Sequence, residues 1–267
     1  MEIQILGCRG STPSTGAEFA RYGGDTSAVS VAHQDRAPSL VLDAGTGLRN
    51  LANELGDGAF RGSILLTHLH WDHTHGLPFA RAVDRDDAVV DLYVPSQGVD
   101  PLSLLARAMG PPHFPITPDQ LRGTWRFHEL EEGRHRIAGF EVEARDVAHK
   151  GGRTFGYRVI DDGASLAYIP DFSVGASEGD PTDLVSGADL LLHDSQHTDA
   201  EIGAKGFLGH STVEHAVRLA ERHDVGRLVL FHHDPARTDV EIDRLVSSVD
   251  SAVPVDAARS GGRLTVG

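Results

Sequence analysis

Thr67-His68-Leu69-His70-Trp71-Asp72-His73 follows directly on the apolar run Ile64-Leu65-Leu66. Four side chains of metal-ligand type therefore crowd into one short stretch at the end of a predicted strand. Histidine and aspartate are seldom buried without partners, so grouping them there carries a desolvation cost that a bound cation offsets. In extended chain His68 and His70 project to the same side and can share one ion. Asp72 and His73 lie in the turn beyond and reach a second. A chain organised around such a loop must bring more ligands to the same strand edge. His149 ends the strand-like segment from Val142, Asp171 follows Leu166-Ala167-Tyr168-Ile169-Pro170, and His232 follows Leu228-Val229-Leu230-Phe231. Each sits just past the C-terminal end of an apolar strand, the edge where α/β sites are built. His233 neighbours His232, strand alternation turns the pair to opposite faces, and His232 is the chosen ligand.

The expected centre is dinuclear: His68, His70 and His149 on one ion, Asp72, His73 and His232 on the other, Asp171 bridging. Imidazole and carboxylate donors without thiolate suit Zn²⁺ and tolerate Mn²⁺ or Fe²⁺. The single cysteine, Cys8, excludes a disulfide framework and a multi-cysteine zinc site.

Around this centre the chain reads as layered α/β. Short apolar runs predict strands at Ile3–Leu6, Ala28–Ala32, Leu40–Leu42, Ser63–Leu66, Val89–Val94, Phe140–Ala144, Thr154–Ile160, Ser165–Ile169, Leu190–Leu192 and Arg227–Phe231. Several are continuous rather than alternating, which suits strands covered on both faces. Helical spacing marks Leu48–Leu55, Pro78–Val83, Leu102–Met109, Thr212–Arg222 and Val240–Val249. No linker or repeat interrupts the 267 residues, so one domain is expected over 1–267. A net charge of −15 with only two lysines, Lys150 and Lys205, argues against a duplex nucleic-acid face. No apolar run approaches the roughly 20 residues of a membrane span, and Met1 leads straight into a strand, so a cytoplasmic protein is expected. Two long loops stand out. Residues 7–25 are rich in Gly, Ser and Thr, and the proline-rich stretch 110–120 carries His113 and Phe114, a ring and an imidazole suited to capping the site and contacting a base.

The H-x-H-x-D-H loop resembles that of the metallo-β-lactamase fold superfamily, and the likeness runs from the first strand to His232. It implies a four-layer αββα sandwich of two mixed β-sheets flanked by helices. Leu6-Gly7-Cys8-Arg9-Gly10-Ser11 is similar to the opening of RNase Z-like and class II cyclic-nucleotide phosphodiesterase-like members, and Asp43-Ala44-Gly45-Thr46-Gly47 to their second-strand turn. Asp43 is read as structural, satisfying backbone donors in that turn. Aspartate at 171, where true β-lactamases carry cysteine, argues against antibiotic hydrolysis. Gly209-His210-Ser211-Thr212-Val213-Glu214 resembles the segment whose histidine contacts phosphate or protonates the leaving group, and Ser211 to Glu214 also forms a capping-box pattern.

The resemblance implies a metal-dependent phosphodiesterase in which a metal-bridging hydroxide attacks phosphorus, Asp72 positions it and His210 serves the departing oxygen. Arg9, Lys150 and Arg153 are candidate anion contacts, although a solvated charge is the commoner role. Asp171 follows His149 by only 22 positions, leaving no room for the tRNA-gripping arm of RNase Z proper. With the acidic charge, this implies a small phosphodiester such as a cyclic nucleotide as substrate, not tRNA, and a homodimer as the assembly similar folds often take. The alternatives are a lactonase or thioesterase on the same fold and, below them, a non-catalytic metal-binding sensor.

Overall fold

Alternation of apolar residues along each strand decides the layering. Leu65, Leu166, Tyr168, Leu190 and Leu192 face one central core, while their neighbours Ile64, Ala167, Ile169 and Leu191 face outward into separate apolar layers. The computed structural model describes residues 1–175, 181–205 and 209–267. Its first sheet is built from β1 (Glu2–Gly7), β2 (Ala28–Ala32), β3 (Leu40–Leu42), β4 (Arg61–Leu65), β5 (Val89–Pro95) and β6 (Thr124–Leu130). The second holds β7 (Gly133–Ile137), β8 (Phe140–Asp146), β9 (Phe155–Asp161), β10 (Ala164–Ile169), β11 (Leu190–Asp194), β12 (Leu228–Phe231) and β13 (Val255–Ala257). The last strand, β14 (Arg263–Thr265), returns to the first sheet beside β1.

Both sheets are mixed, with orders 14-1-2-3-4-5-6 and 13-12-11-10-9-8-7. From β14 to β6 the pairings run antiparallel three times and then parallel three times, and from β7 to β13 they repeat that series. The two halves therefore share one topology although their sequences show no repeat, because topology constrains which positions are apolar and leaves residue identity free.

Helices cover both outer faces, completing the four layers that the sequence implied. Val213, Ala216, Val217 and Ala220 of helix Val213–Arg222 pack on Ala167, Leu191, Leu228 and Leu230. Across the molecule, Leu48, Leu51, Leu77 and Leu105 cover Val41, Ile64, Val90 and Leu92. Each such buried side chain contributes about 1.5–3 kcal/mol. No helix among the described residues is long and apolar enough to cross a membrane.

The ten predicted strands all form. The missing four are edge or near-edge strands whose polar residues hide the pattern: in β6, Arg126 and His128 both bind Asp91 of β5. Three helices are shorter than predicted. Residues 78–83 hold only a 3₁₀ turn, Leu77–Phe79, because Ala80 is extended. Residues 46–50 form a 3₁₀ turn before helix Leu51–Leu55, and the third helix is Pro101–Ala106.

Candidate metal centre

The C-terminal ends of β3, β4, β8, β10, β11 and β12 meet along one edge, and the candidate ligands leave the sheets there. His68, His70 and His149 bring one nitrogen each to within 4.8 Å of one another, and so do the ligand atoms of Asp72, His73 and His232. Asp171 lies between the groups: its Oδ2 is 2.8 Å from His73 Nε2 and 3.5 Å from His232 Nε2, and its Oδ1 is 3.7 Å from His149 Nε2. The structure thus brings together the side chains of each expected triplet and sets Asp171 between them.

Three of the imidazoles, His73, His149 and His68, are aimed by their other nitrogen. Buried Asp43, held at φ 60°, accepts from Thr67 N–H at 2.7 Å, Thr67 Oγ1 at 2.9 Å, Tyr168 OH at 2.9 Å and His73 Nδ1 at 2.8 Å. This holds His73 Nε2 toward the centre. Asp43 thus braces the neighbouring strand end and a ligand ring, where the sequence suggested donors of its own turn. His149 Nδ1 donates to the Gly209 carbonyl at 2.9 Å, and Thr67 Oγ1 lies 3.0 Å from His68 Nδ1. His232 sits at φ 57°, in the left-handed region that histidine seldom enters, just where β12 ends. Gly10 packs so closely on its ring that a Cβ would stand 2.4 Å from Nδ1.

The electrostatics match a cation site. Burial, reinforced by neighbouring imidazoles, pushes the pKa of His68, His70 and His149 below the usual histidine value, which keeps them neutral donors. Burial would raise the Asp72 and Asp171 carboxyls, but His73 and His232 outweigh it and hold both well below the usual range. The donor set fits a divalent metal on a direct test: His68 Nε2 is buried with no hydrogen-bond partner, and His73 Nε2 and Asp171 Oδ2, though 2.8 Å apart, are not aligned as a hydrogen bond, a cost that a cation removes. A cavity of about 420 Å³ opens onto these residues, lined by Ser11, His70, Trp71, Asp72, Asp171 and His210 among others.

His210 stands at this cavity with Nδ1 3.0 Å from Asp194 and 3.3 Å from Asp171. Burial lowers its pKa, yet the carboxylates, Asp194 foremost, lift it to about 9. The following helix is capped by Thr212, which accepts from His215 N–H at 3.0 Å, one residue later than the capping-box pattern suggested.

Asp194 escaped the sequence reading. It ends β11, is fully buried, and accepts from Phe172, Gln196 and Ser211 N–H groups as well as His210. Its signal was available, since it follows Leu190-Leu191-Leu192 as Asp171 follows its own strand. Ser11 was also missed: its N–H donates to Asp72 Oδ2 at 2.7 Å.

The charged candidates sit differently. Arg9 is fully buried, donating to the carbonyls of Gly23 and Arg237 and facing the Asp239 carboxylate at 3.7 Å, so it locks the first loop to the last helix and is closed to a substrate anion. Arg153 is taken up by Asp146, Glu131 and Glu132. Lys150 lines a second cavity beside His68 and His70. The proline-rich loop places His113 and Phe114 in an apolar cleft with Leu69, His75 and Phe79, beside the ligand cavity rather than over it.

His233 turns away from the centre, as strand alternation requires, and its Nε2 meets the Ala258 carbonyl at 2.9 Å. Burial pushes its pKa down to about 3. The unfolded chain takes up this proton first, so the stabilisation is complete above the ordinary histidine value of about 6.5 and is lost as pH falls toward 3, at about 1.4 kcal/mol per unit. The urea midpoint of the wild type will fall more steeply than that of His233→Gln between pH 6.5 and 4. Parallel curves would refute a buried neutral His233.

A model of the beta-lactamase superfamily domain matches residues 39–233, and the chain belongs to that family. Within it the chain lies in the RNase Z-like branch of the metallo-β-lactamase superfamily. The ribonuclease Z of Haloferax volcanii is 25% identical over 87% of this chain and 84% of its own length. Human tRNase Z, short form, superposes with a TM-score of 0.68 at 22% identity, covering 100% of both chains. A diphosphatase of the PhnP family superposes at 0.73 and 19% identity, covering 99% of this chain and 97% of its own.

These relatives overturn one expectation. The short interval between His149 and Asp171 and the net charge were read as excluding tRNA in favour of a small molecule, whereas the matching relatives are named ribonuclease Z. The physical flaw is that net charge is a property of the whole surface, while an RNA phosphate is gripped locally at the ligand cluster.

Proposed function

We propose that this chain is a two-metal phosphoric diester hydrolase that cleaves an RNA phosphodiester, using the seven ligands His68, His70, Asp72, His73, His149, Asp171 and His232. The observation that carries this reading is His210, fixed by Asp194 at the rim of the ligand cavity. With Nδ1 tied to a carboxylate, Nε2 is the nitrogen left to meet a substrate. A phosphodiester expels an alkoxide, which needs a proton, whereas the thiolate of a thioester leaves with little help. Two divalent ions, Zn²⁺ first among those this donor set suits, supply water activation and charge neutralisation at phosphorus. Asp72, steadied by Ser11 N–H, orients the nucleophile; His210 passes its proton to the leaving oxygen; Asp194 holds the ring and its charge. The names of the curated relatives support RNA as the substrate class.

The test is turnover by metal-replete protein of a 3′-extended tRNA and of bis(p-nitrophenyl) phosphate, with a lactone and a glutathione thioester in parallel. Both phosphodiesters will be cleaved, and His210→Ala will lower kcat on the tRNA by about 10²–10⁴-fold but much less on bis(p-nitrophenyl) phosphate, whose p-nitrophenolate leaves with little help. Turnover of the lactone or thioester alone, indifferent to His210, would overturn the reading.

A further inference from the structure

Trp71, within the metal-binding loop itself, is 67% exposed, and Phe79 nearby is 66% exposed. Large aromatic rings are normally covered, and two left open on adjoining cavities mark a surface with an occupant. Trp71 is nevertheless held in place, stacked on His75 at 5.4 Å and 17°. Phe79 meets Phe114 edge to face at 5.7 Å. Between them runs a cleft of about 340 Å³, lined by Leu69, His75, Phe79, Met109, His113 and Phe114 among others. Leu69 lines this cleft and also the cavity that holds Asp72, Asp171 and His210, so the two adjoin across it, and Trp71 stands on the wall of the latter. Beyond Leu69 and His70 a third cavity presents the exposed cations Arg107 and Lys150.

We propose that Trp71 and the adjoining cleft form a nucleobase-stacking subsite for the nucleotide that flanks the scissile phosphate. The inference rests on the ribonuclease reading and specifies which part of the RNA the chain recognises. Because Trp71 stands on the wall of the ligand cavity and the cleft adjoins that cavity at Leu69, the group that reaches them is one covalently continuous with the phosphodiester. In RNA that neighbour is a ribose and its base, and every base offers a π face to an aromatic ring. The imidazoles of His75 and His113 place polar groups along an otherwise apolar slot, which suits the edge of a base better than an aliphatic chain. Arg107 and Lys150, in the cavity that shares Leu69 and His70 with the ligand cavity, are the cations that would meet the next phosphates of the strand.

The sequence contains two tryptophans, Trp71 and Trp125, so Trp125→Phe protein reports on Trp71 alone. A single-stranded oligoribonucleotide will quench this fluorescence saturably, and the same oligomer with abasic riboses will not. On a 3′-extended tRNA, Trp71→Ala will lose about tenfold or more in kcat/KM and Trp71→Phe much less, the scale of one stacked base. On a substrate abasic at the flanking nucleotides, wild type and Trp71→Ala will be equal. Quenching without cleavage would keep the subsite and remove the ribonuclease reading. Cleavage without quenching, or an equal loss on both substrates, would overturn the subsite alone, and neither binding nor cleavage would overturn both. A dimer in sedimentation that Trp71→Ala dissociates, with RNA binding unchanged, would assign the patch to self-association and overturn the proposal.

Discussion

Asp171→Ala protein will retain fewer tightly bound divalent ions per chain than the wild type, and its hydrolytic activity will fall by more than the ~10–100-fold that losing a supporting partner of a ligand costs. The reason is geometric. Among the described residues Asp171 is the carboxylate that reaches toward both triplets, with one oxygen near His73 and His232 and the other near His149. Removing it leaves each ion three protein ligands, and it strips the negative charge that offsets two dications in a buried place. His149 and His210 then lose their shared carboxylate neighbour as well. Elemental analysis after gel filtration provides the check. An unchanged two-metal stoichiometry would refute the bridging role, whatever happened to turnover.

Asp43→Ala will be the most destabilising single change in the centre, costing about 3–5 kcal/mol even in metal-free protein, the scale of breaking a buried charged network. Thr67 N–H, Thr67 hydroxyl, Tyr168 hydroxyl and His73 Nδ1 all converge on this carboxylate, and alanine strands them in a dry interior. Alanine is also strained at φ 60°, a conformation that asparagine tolerates. Asp43→Asn will therefore fold with a smaller loss, yet its amide cannot accept from every one of these donors, so the His73 ring loses its fixed orientation. Urea denaturation of the two variants with and without Zn²⁺ separates the effects. A loss under about 1 kcal/mol for Asp43→Ala would show that the network relaxes freely and that Asp43 braces nothing.

Several parts of this protein are readable from residues in series. Apolar runs mark the ten interior strands, because a strand covered on both faces must be apolar throughout. The loop from His68 to His73 announces cation binding, because no packing rule groups such residues at a strand end. His149, Asp171 and His232 are found by the same context of polar residue after apolar strand. Position in the fold is another matter. Asp43 and Asp171 both follow apolar strands, and the sequence separates them only through the resemblance of residues 43–47 to a family turn; the convergence of strand ends shows that Asp43 meets Thr67, Tyr168 and the far nitrogen of His73 while Asp171 meets the inward nitrogens of His73, His149 and His232. Asp194 acquires its place beside His210 because β11 lies between β10 and β12. Arg9, which reads as a surface charge, is enclosed because the first loop and the last helix close over it. Trp71 carries no signal in the sequence beyond its place among the ligands, and the structure leaves it open at the cavity. Composition and periodicity determine which residues leave water, a local property of the chain; the tertiary structure decides which of the survivors touch, because contacts between residues 43, 73, 171 and 232 depend on how two sheets align.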